Sequence, residues 1–230
     1  MSIAPTPGPR IALIHATALS IGPINAAFER HWPEARRMHL LDDSLSVDRA
    51  RDGRLTDEMT QRFVDLASYA KRTGAKGILF TCSAFGPAIE AAGNAVKIPT
   101  LKPNEAMFEQ ALDRCAKQGG KLGLIATFQA SIASMGAELQ QMAQQRGMAI
   151  ALRSVFVPEA MQDLAEGRAG EHHRKVAEAA AQLADCEVVM LAQFSMADAL
   201  PAVQEKLACT VLSSPDCAVL ALKKKVADAP

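Results

Sequence analysis

One sequence pattern occurs twice in this 230-residue chain, at a single spacing, and limits what it can fold into. RIALIHA (10–16) and KLGLIAT (121–127) are apolar runs whose Ile14 and Ile125 stand 111 positions apart. GILFTC closes on Cys82 and EVVMLAQ on Gln193, again 111 apart, and Leu101 and Leu212 repeat the interval. Three segments in one register without a gap imply an internal duplication, hence two similar units rather than one large core.

The duplicated unit is α/β. Short apolar runs at 10–16, 37–42, 77–82, 98–101, 121–127, 149–155, 187–193 and 209–212 alternate with Ala-rich, amphipathic stretches such as 57–72 and 131–146. Strands alternating with helices imply βαβ units and parallel sheets. Near-continuous apolar strands fit sheets covered by helices on both faces. The expected fold is α/β with two pseudo-symmetric lobes, each a parallel sheet flanked by helices, and a site in the cleft between them. The lobes are placed at 1–110 and 111–230, with room for the last helix to cross back. In the stretch 55–75, Met59, Phe63, Leu66 and Ala70 form a core-facing stripe, and Thr56 opens it as an imperfect capping box.

Composition removes several function classes. Hydrophobic residues make up 49%, against disorder. Lys plus Arg and Asp plus Glu are 25 each, with one Tyr and one Trp, which disfavours a nucleic-acid surface. The run Lys223, Lys224, Lys225 reads as a solvated last helical turn. No apolar run is long enough to span a membrane, and MSIAPTPGPR lacks the features of a secretory signal. Five cysteines without a CxxC pair point to a cytoplasmic protein with free thiols and no metal site.

In parallel sheets, ligands bind beyond the carboxyl ends of the strands, where the following helices also point their N-termini. The loops at those ends are HATALS, TCSAFGP, KPNEA, TFQAS, QFSMA and SSPD. They carry hydroxyls and amides with few fixed charges, as a small carboxylate substrate requires. Cys82 carries most of the chemistry. It ends a strand, and Ser83 after it reads as a helix N-cap. A thiol beside a helix N-terminus can exchange a proton or add to an electrophilic carbon. The backbone N–H groups of Ser83, Ala84 and Phe85 are placed to hold a developing oxyanion.

These residues resemble the aspartate/glutamate/hydantoin racemase superfamily, which includes maleate isomerase and arylmalonate decarboxylase. The resemblance rests on the strand–Cys–small–helix segment TCSAFGP and its counterpart LAQFSMA. It implies two α/β lobes, no cofactor, a small carboxylate or cyclic-amide substrate, a homo-oligomer, and cysteine chemistry with one thiol per lobe. Cys82 matches the first thiol, but Gln193 stands where the second belongs. Gln193 cannot take a proton at neutral pH, although it can hydrogen-bond a carboxylate. One thiol fits three outcomes: an isomerase or racemase-like enzyme, a decarboxylating lyase of malonate-type acids, or a silent carboxylate-binding homologue.

The expected substrate-binding set is His15, Thr17, Ser83, Ala84, Phe85, Asn104, Thr127, Phe128, Gln193, Ser195 and Ser213, around catalytic Cys82. Several have competing structural readings. His15 either polarises the thiol, binds substrate or bonds a loop carbonyl. Thr127 contacts substrate or caps the next helix, and Ser195 caps the helix after Gln193. Phe85, Phe128 and Phe194 form an apolar wall or belong to the core. Cys115, Cys186 and Cys209 read as buried hydrophobes. Cys217 reads as packed in its helix, and His172 as exposed or capping.

Overall fold

The computed structural model describes residues 8–116 and 118–229. Residues 1–7, which make up most of the stretch MSIAPTPGPR expected not to be a secretory signal, lie outside the described residues. The chain divides into two compact units, Met1–Pro103 with Ala218–Pro230, and Asn104–Cys217.

The elements of the first unit are β1 (Arg10–His15), α1 (Ile21–His31), β2 (Arg36–Leu41), α2 (Ser44–Asp52), α3 (Asp57–Arg72), β3 (Gly77–Phe80), α4 (Gly86–Val96) and β4 (Thr100–Leu101). The second unit comprises α5 (Glu105–Arg114), β5 (Gln118–Ala126), α6 (Gln129–Gln145), β6 (Ala149–Phe156), α7 (Ala160–Ala165), α8 (Ala169–Ala180), β7 (Val188–Leu191), α9 (Leu200–Gln204) and β8 (Thr210–Ser213). The last helix, α10 (Ser214–Ala227), starts in the second unit and ends in the first.

The first sheet has the order β2-β1-β3-β4 and the second β6-β5-β7-β8, with every pairing parallel. The repeat is therefore real at the level of topology. Ile14 lies opposite Phe80, and Ile125 opposite Leu191, in the same register. The spacing holds at β4 and β8, where Leu101 lies opposite Leu79 and Leu212 opposite Met190, and fails at the opposite edge of each sheet, β2 and β6. Leu41 pairs with His15, while Phe156 pairs with Ala126, so the outer strands are four residues out of step with the 111 offset. Edge strands have one neighbour and tolerate such drift. They also correct the expectation of uniformly apolar strands. The central β3 and β7 are buried throughout, whereas β2 and β6 are partly exposed along their length.

The local chemistry of α3 shows why its sequence forms a helix. Thr56 is extended and accepts the Met59 N–H at 3.2 Å, capping the first turn. Asp57 and Glu58 sit at its N-terminal end and Lys71 and Arg72 at its C-terminal end, both favourable to the dipole. Its buried stripe of Met59, Phe63, Ala67 and Ala70 joins Ile14, Ile78, Phe80, Phe85 and Ile89 in one core under the sheet. Leu66 packs at the margin of that core.

Gly77 lets α10 approach β3. A Cβ built there would lie 2.8 Å from Val226 and 3.1 Å from Leu222. Lys223 of α10 is anchored too, donating to the His31 carbonyl and pairing with Glu34 at 3.0 Å. In the second unit, Val155, Val176, Leu183, Val189, Leu191, Met196 and Val203 form the corresponding core.

Among the described residues, no helix is long and apolar enough to cross a membrane.

Candidate functional site

At the carboxyl end of the first sheet, Thr81 and Cys82 continue from β3. Cys82 is extended (φ −126°, ψ 122°) and leads into a one-turn 3-10 helix, Ser83–Phe85, which is followed directly by α4. Ser83 is thus inside this turn rather than the N-cap expected of it. The insertion of a 3-10 turn moves the start of α4 to Gly86. Pro87 sits in the first turn of α4, where its missing N–H costs nothing.

Cys82 keeps partial exposure, while Ala84 packs against the core and Phe85 is fully buried in it. Desolvation pushes the Cys82 thiol above its ordinary value, and the Ala84 N–H directed at the sulfur opposes this only in part. At neutral pH the resting sulfur is a thiol. It is suited to donating a proton and needs a base or an incoming charge to become a nucleophile.

Around this strand end the structure brings His15 and Thr81 together. His15 is completely buried; its Nδ1 lies 2.8 Å from Thr81 Oγ1 and its Nε2 lies 2.9 Å from His39 Nδ1. His15 therefore bonds two side chains, neither a loop carbonyl nor the thiol. Burial first, then the neighbouring His39, lowers its pKa to about 4, so it is neutral at physiological pH. Ser20 Oγ donates to the Thr81 carbonyl at 3.4 Å, and Thr17 caps the turn Ala18–Ser20 by accepting from Leu19 N at 3.4 Å.

The second unit has a corresponding centre at Gln193. Its Oε1 accepts from Thr127 N at 3.0 Å and Thr127 Oγ1 at 3.2 Å, and its Nε2 donates to Ser131 Oγ at 2.6 Å. Ser131 in turn donates to the Phe128 carbonyl at 2.8 Å. Thr127 is thus a partner of Gln193 rather than a cap of α6. One Gln193 N–H remains for another acceptor. Ser195 lies inside the 3-10 segment Phe194–Ala199, not at its cap. Phe194 is buried, while Phe128 is 45% exposed, so of the three aromatics only Phe128 offers an open apolar face.

Asn104 precedes α5 and is buried. Its Oδ1 accepts from Ser214 Oγ at 2.7 Å, and its Nδ2 has no hydrogen-bond partner. A buried, unpartnered donor at a helix N-terminus suits an anionic oxygen. Ser213 Oγ donates to Asp216 at 2.6 Å. Sequence reasoning did not single out Thr81, Ser20, His39, Ser131 or Ser214. The repeat held a signal for two of them, since Ser131 follows Ser20 by the same 111 residues. His39 carried none, because it joins through sheet pairing.

The other thiols are poor substitutes for a second reactive group. Cys115 and Cys186 are buried, Cys209 is half-buried, and desolvation raises all three. Cys217 is buried in α10, where desolvation pushes it up to about 12. Among the described residues, no group of three or more His, Cys, Asp or Glu side chains could hold a metal ion.

His172 overturns its sequence reading. It is fully buried in α8, and neither ring nitrogen has a hydrogen-bond partner. The amphipathic period of α8 turns position 172 inward, while the adjacent position 173 lies on another face. Burial first, then His173, lowers the His172 pKa to about 4. An unfolded histidine takes a proton below about 6.5, and this one resists until about 4, so acid favours the unfolded chain. Stability is expected to be complete above that upper value and to be lost as pH falls through the window. The loss is on the order of 1 kcal/mol by about pH 5. Melting curves at neutral and mildly acid pH check this. His172→Leu should show a smaller acid-dependent drop than wild type, and an equal drop would assign the loss elsewhere.

The family described as Asp/Glu/Hydantoin racemase matches residues 14–222. No curated protein matches the chain significantly by sequence. Allantoin racemase from Klebsiella pneumoniae superposes with a TM-score of 0.72 at 16% identity, covering 96% of this chain and 88% of that one. Glutamate racemase isoform RacE1 from Bacillus anthracis gives 0.70 at 16%, covering 95% and 82%. Unliganded arylmalonate decarboxylase gives 0.59 at 16%, covering 96% and 94%. At these identities the structural likeness concerns the fold.

Proposed function

The chain belongs to the Asp/Glu/hydantoin racemase family and is an enzyme of that superfamily, and from this premise we propose that it is a cofactor-independent isomerase or racemase-type catalyst acting through Cys82. The substrate is a small carboxylate or cyclic amide, the two chemistries named by glutamate racemase and allantoin racemase among its structural neighbours. Cys82 moves a proton at the carbon beside the carbonyl. As a thiolate the sulfur takes the proton from that carbon, the C–H bonding pair passes into an enolate, the new S–H exchanges with solvent, and the sulfur hands a proton back to the same carbon, regenerating the thiolate.

The observation that carries this reading is the placement of Cys82: a partly exposed thiol at the carboxyl end of a central parallel strand, with the Ala84 N–H at its sulfur.

Incubating a panel of chiral 2-substituted acids and hydantoins with the enzyme in deuterated water tests it. Wild type should incorporate deuterium at the carbon next to the carbonyl. Equal incorporation by Cys82→Ser, or none across the panel, would sink the proposal.

A second reading, a lyase that decarboxylates a malonate-type acid, is favoured by one specific observation. Gln193 holds the position equivalent to Cys82, and an amide neither gives nor takes a proton at neutral pH. Decarboxylation breaks a C–C bond and needs only one proton donor, which the thiol form of Cys82 supplies. Carbon dioxide release from arylmalonates separates the two readings.

The same residue gives a prediction. Gln193→Cys places a second thiol at the duplicated position. It should raise deuterium exchange into the disfavoured enantiomer by about tenfold or more, within the range of an added general acid–base group. Gln193→Ala, which loses the same hydrogen bonds without adding a thiol, should not. Chiral chromatography of both variants' products reads the difference.

A further inference from the structure

The side chains of His39, His15 and Thr81 form a row across the sheet, from the edge strand β2 through β1 to the residue after β3. The distances favour one direction for its hydrogen bonds. Thr81 Oγ1 is 2.8 Å from His15 Nδ1 but 3.5 Å from its other acceptor, the Ile14 carbonyl, at the limit of a hydrogen bond. A hydroxyl proton that takes the shorter contact goes to His15 Nδ1. His15 then carries its own proton on Nε2 and donates it to His39 Nδ1, 2.9 Å away. Thr81 is further fixed through its N–H to the Ile14 carbonyl at 3.0 Å and its carbonyl from Ser20 Oγ. That carbonyl belongs to the peptide leading into Cys82.

We propose that His15 and His39 are positioning residues for Cys82: the one-way row Thr81 to His15 to His39 holds the strand end in place, and it stands only while His39 is neutral. A protonated His39 presents a donor where the row needs an acceptor. The row must then break or reverse, leaving the Thr81 hydroxyl with the 3.5 Å contact to Ile14. His15 is buried and stays neutral, whereas His39 is exposed and is the end that solvent protons reach.

The charged groups around the row are otherwise engaged. Arg37 of β2 acts on His39 and is itself bonded to the Asn25 carbonyl and the Glu29 carboxylate of α1. Asp42, whose N–H donates to the His15 carbonyl, has its carboxylate held by Arg62 of α3 and by Ser44. The link from this row to turnover rests on the reading of Cys82 as the reactive thiol. The row itself does not.

Long-range imidazole nitrogen NMR tests the row directly. At about pH 7.5 His15 should carry its proton on Nε2, and acidification through the titration of His39 should disturb the His15 signals. In His39→Asn, whose amide oxygen can stand in for Nδ1, that disturbance should vanish. A His15 protonated on Nδ1 at about pH 7.5, or one indifferent to His39, would overturn the inference. The consequence for the thiol is read by the iodoacetamide alkylation rate of Cys82 at constant alkaline pH. His39→Lys, a donor without an acceptor, should change it roughly fivefold, the weight of one neutral hydrogen bond, and His39→Asn should recover the wild-type rate. Equal rates in all three proteins would reject the coupling. Loss of turnover in Cys82→Ser tests the proposed function separately.

Discussion

Cys82→Ser is expected to lower turnover by about 10²–10⁴-fold, the usual weight of a positioned proton-transfer group, with little change in melting temperature. The substitution is nearly isosteric. Cys82 is only partly buried, and a serine oxygen can still accept the Ala84 N–H. What is lost is a group able to release or take up a proton near the working pH, because a serine hydroxyl is a far weaker acid than a thiol. The same thiol gives the pH profile a readable sign. Desolvation raises the Cys82 pKa, so the thiol form persists into the alkaline range. If the sulfur donates the proton, activity should hold through neutrality and fall as pH rises through that elevated value. If it must act first as a thiolate, activity should climb over the same interval. Steady-state rates of wild type and Cys82→Ser across that range settle both points. Unchanged turnover in the variant would remove Cys82 from the mechanism.

The sequence made the fold legible because burial of a parallel sheet writes itself into composition. β3 and β7 are covered on both faces and read as unbroken apolar runs, GILF and VVML, at the duplicated spacing. The outer strands were less legible. β2 and β6 border solvent, their residues are mixed, and their registers differ by four residues from the duplicated spacing.

For the candidate site, strand-end logic located the Cys82 and Gln193 loops because a strand's carboxyl end is a position in sequence. It could not tell which polar side chains face each other. Thr127 was noticed as a loop hydroxyl, yet its bond to Gln193 spans 66 residues. The His15–His39 contact depends on two neighbouring strands carrying histidines on the same face. His172 was misjudged for a related reason. Polar residues on a helix usually point to solvent, and only packing reveals that α8 turns this one into the core.

Phe63→Ala is the substitution expected to cost most in stability, about 3–5 kcal/mol for truncating a buried phenylalanine. Phe63 is 2% exposed, and its ring lies 5.2 Å from Phe80 and 4.8 Å from Phe85, centroid to centroid. Both neighbours bracket Cys82 in sequence, one two residues before it and one three residues after. The ring of α3 thus supports both ends of the segment that presents the thiol. Removing it forfeits apolar burial, opens a cavity that the packed sheet cannot fully close, and breaks two aromatic contacts worth about 0.5–1.5 kcal/mol each beyond their area. Domains of ordinary stability have about 5–15 kcal/mol in total, so the variant should show a large drop in its urea midpoint. Phe63→Leu keeps most of the volume and should cost under about 1.5 kcal/mol. The pair also separates support from simple unfolding. Below the unfolding transition, Phe63→Ala should alkylate Cys82 faster than Phe63→Leu, because the turn Ser83–Phe85 loses its anchor while the sheet remains. A Phe63→Ala protein as stable as wild type, or one with an unaltered Cys82 alkylation rate, would show that the aromatic cluster does not hold the thiol segment in place.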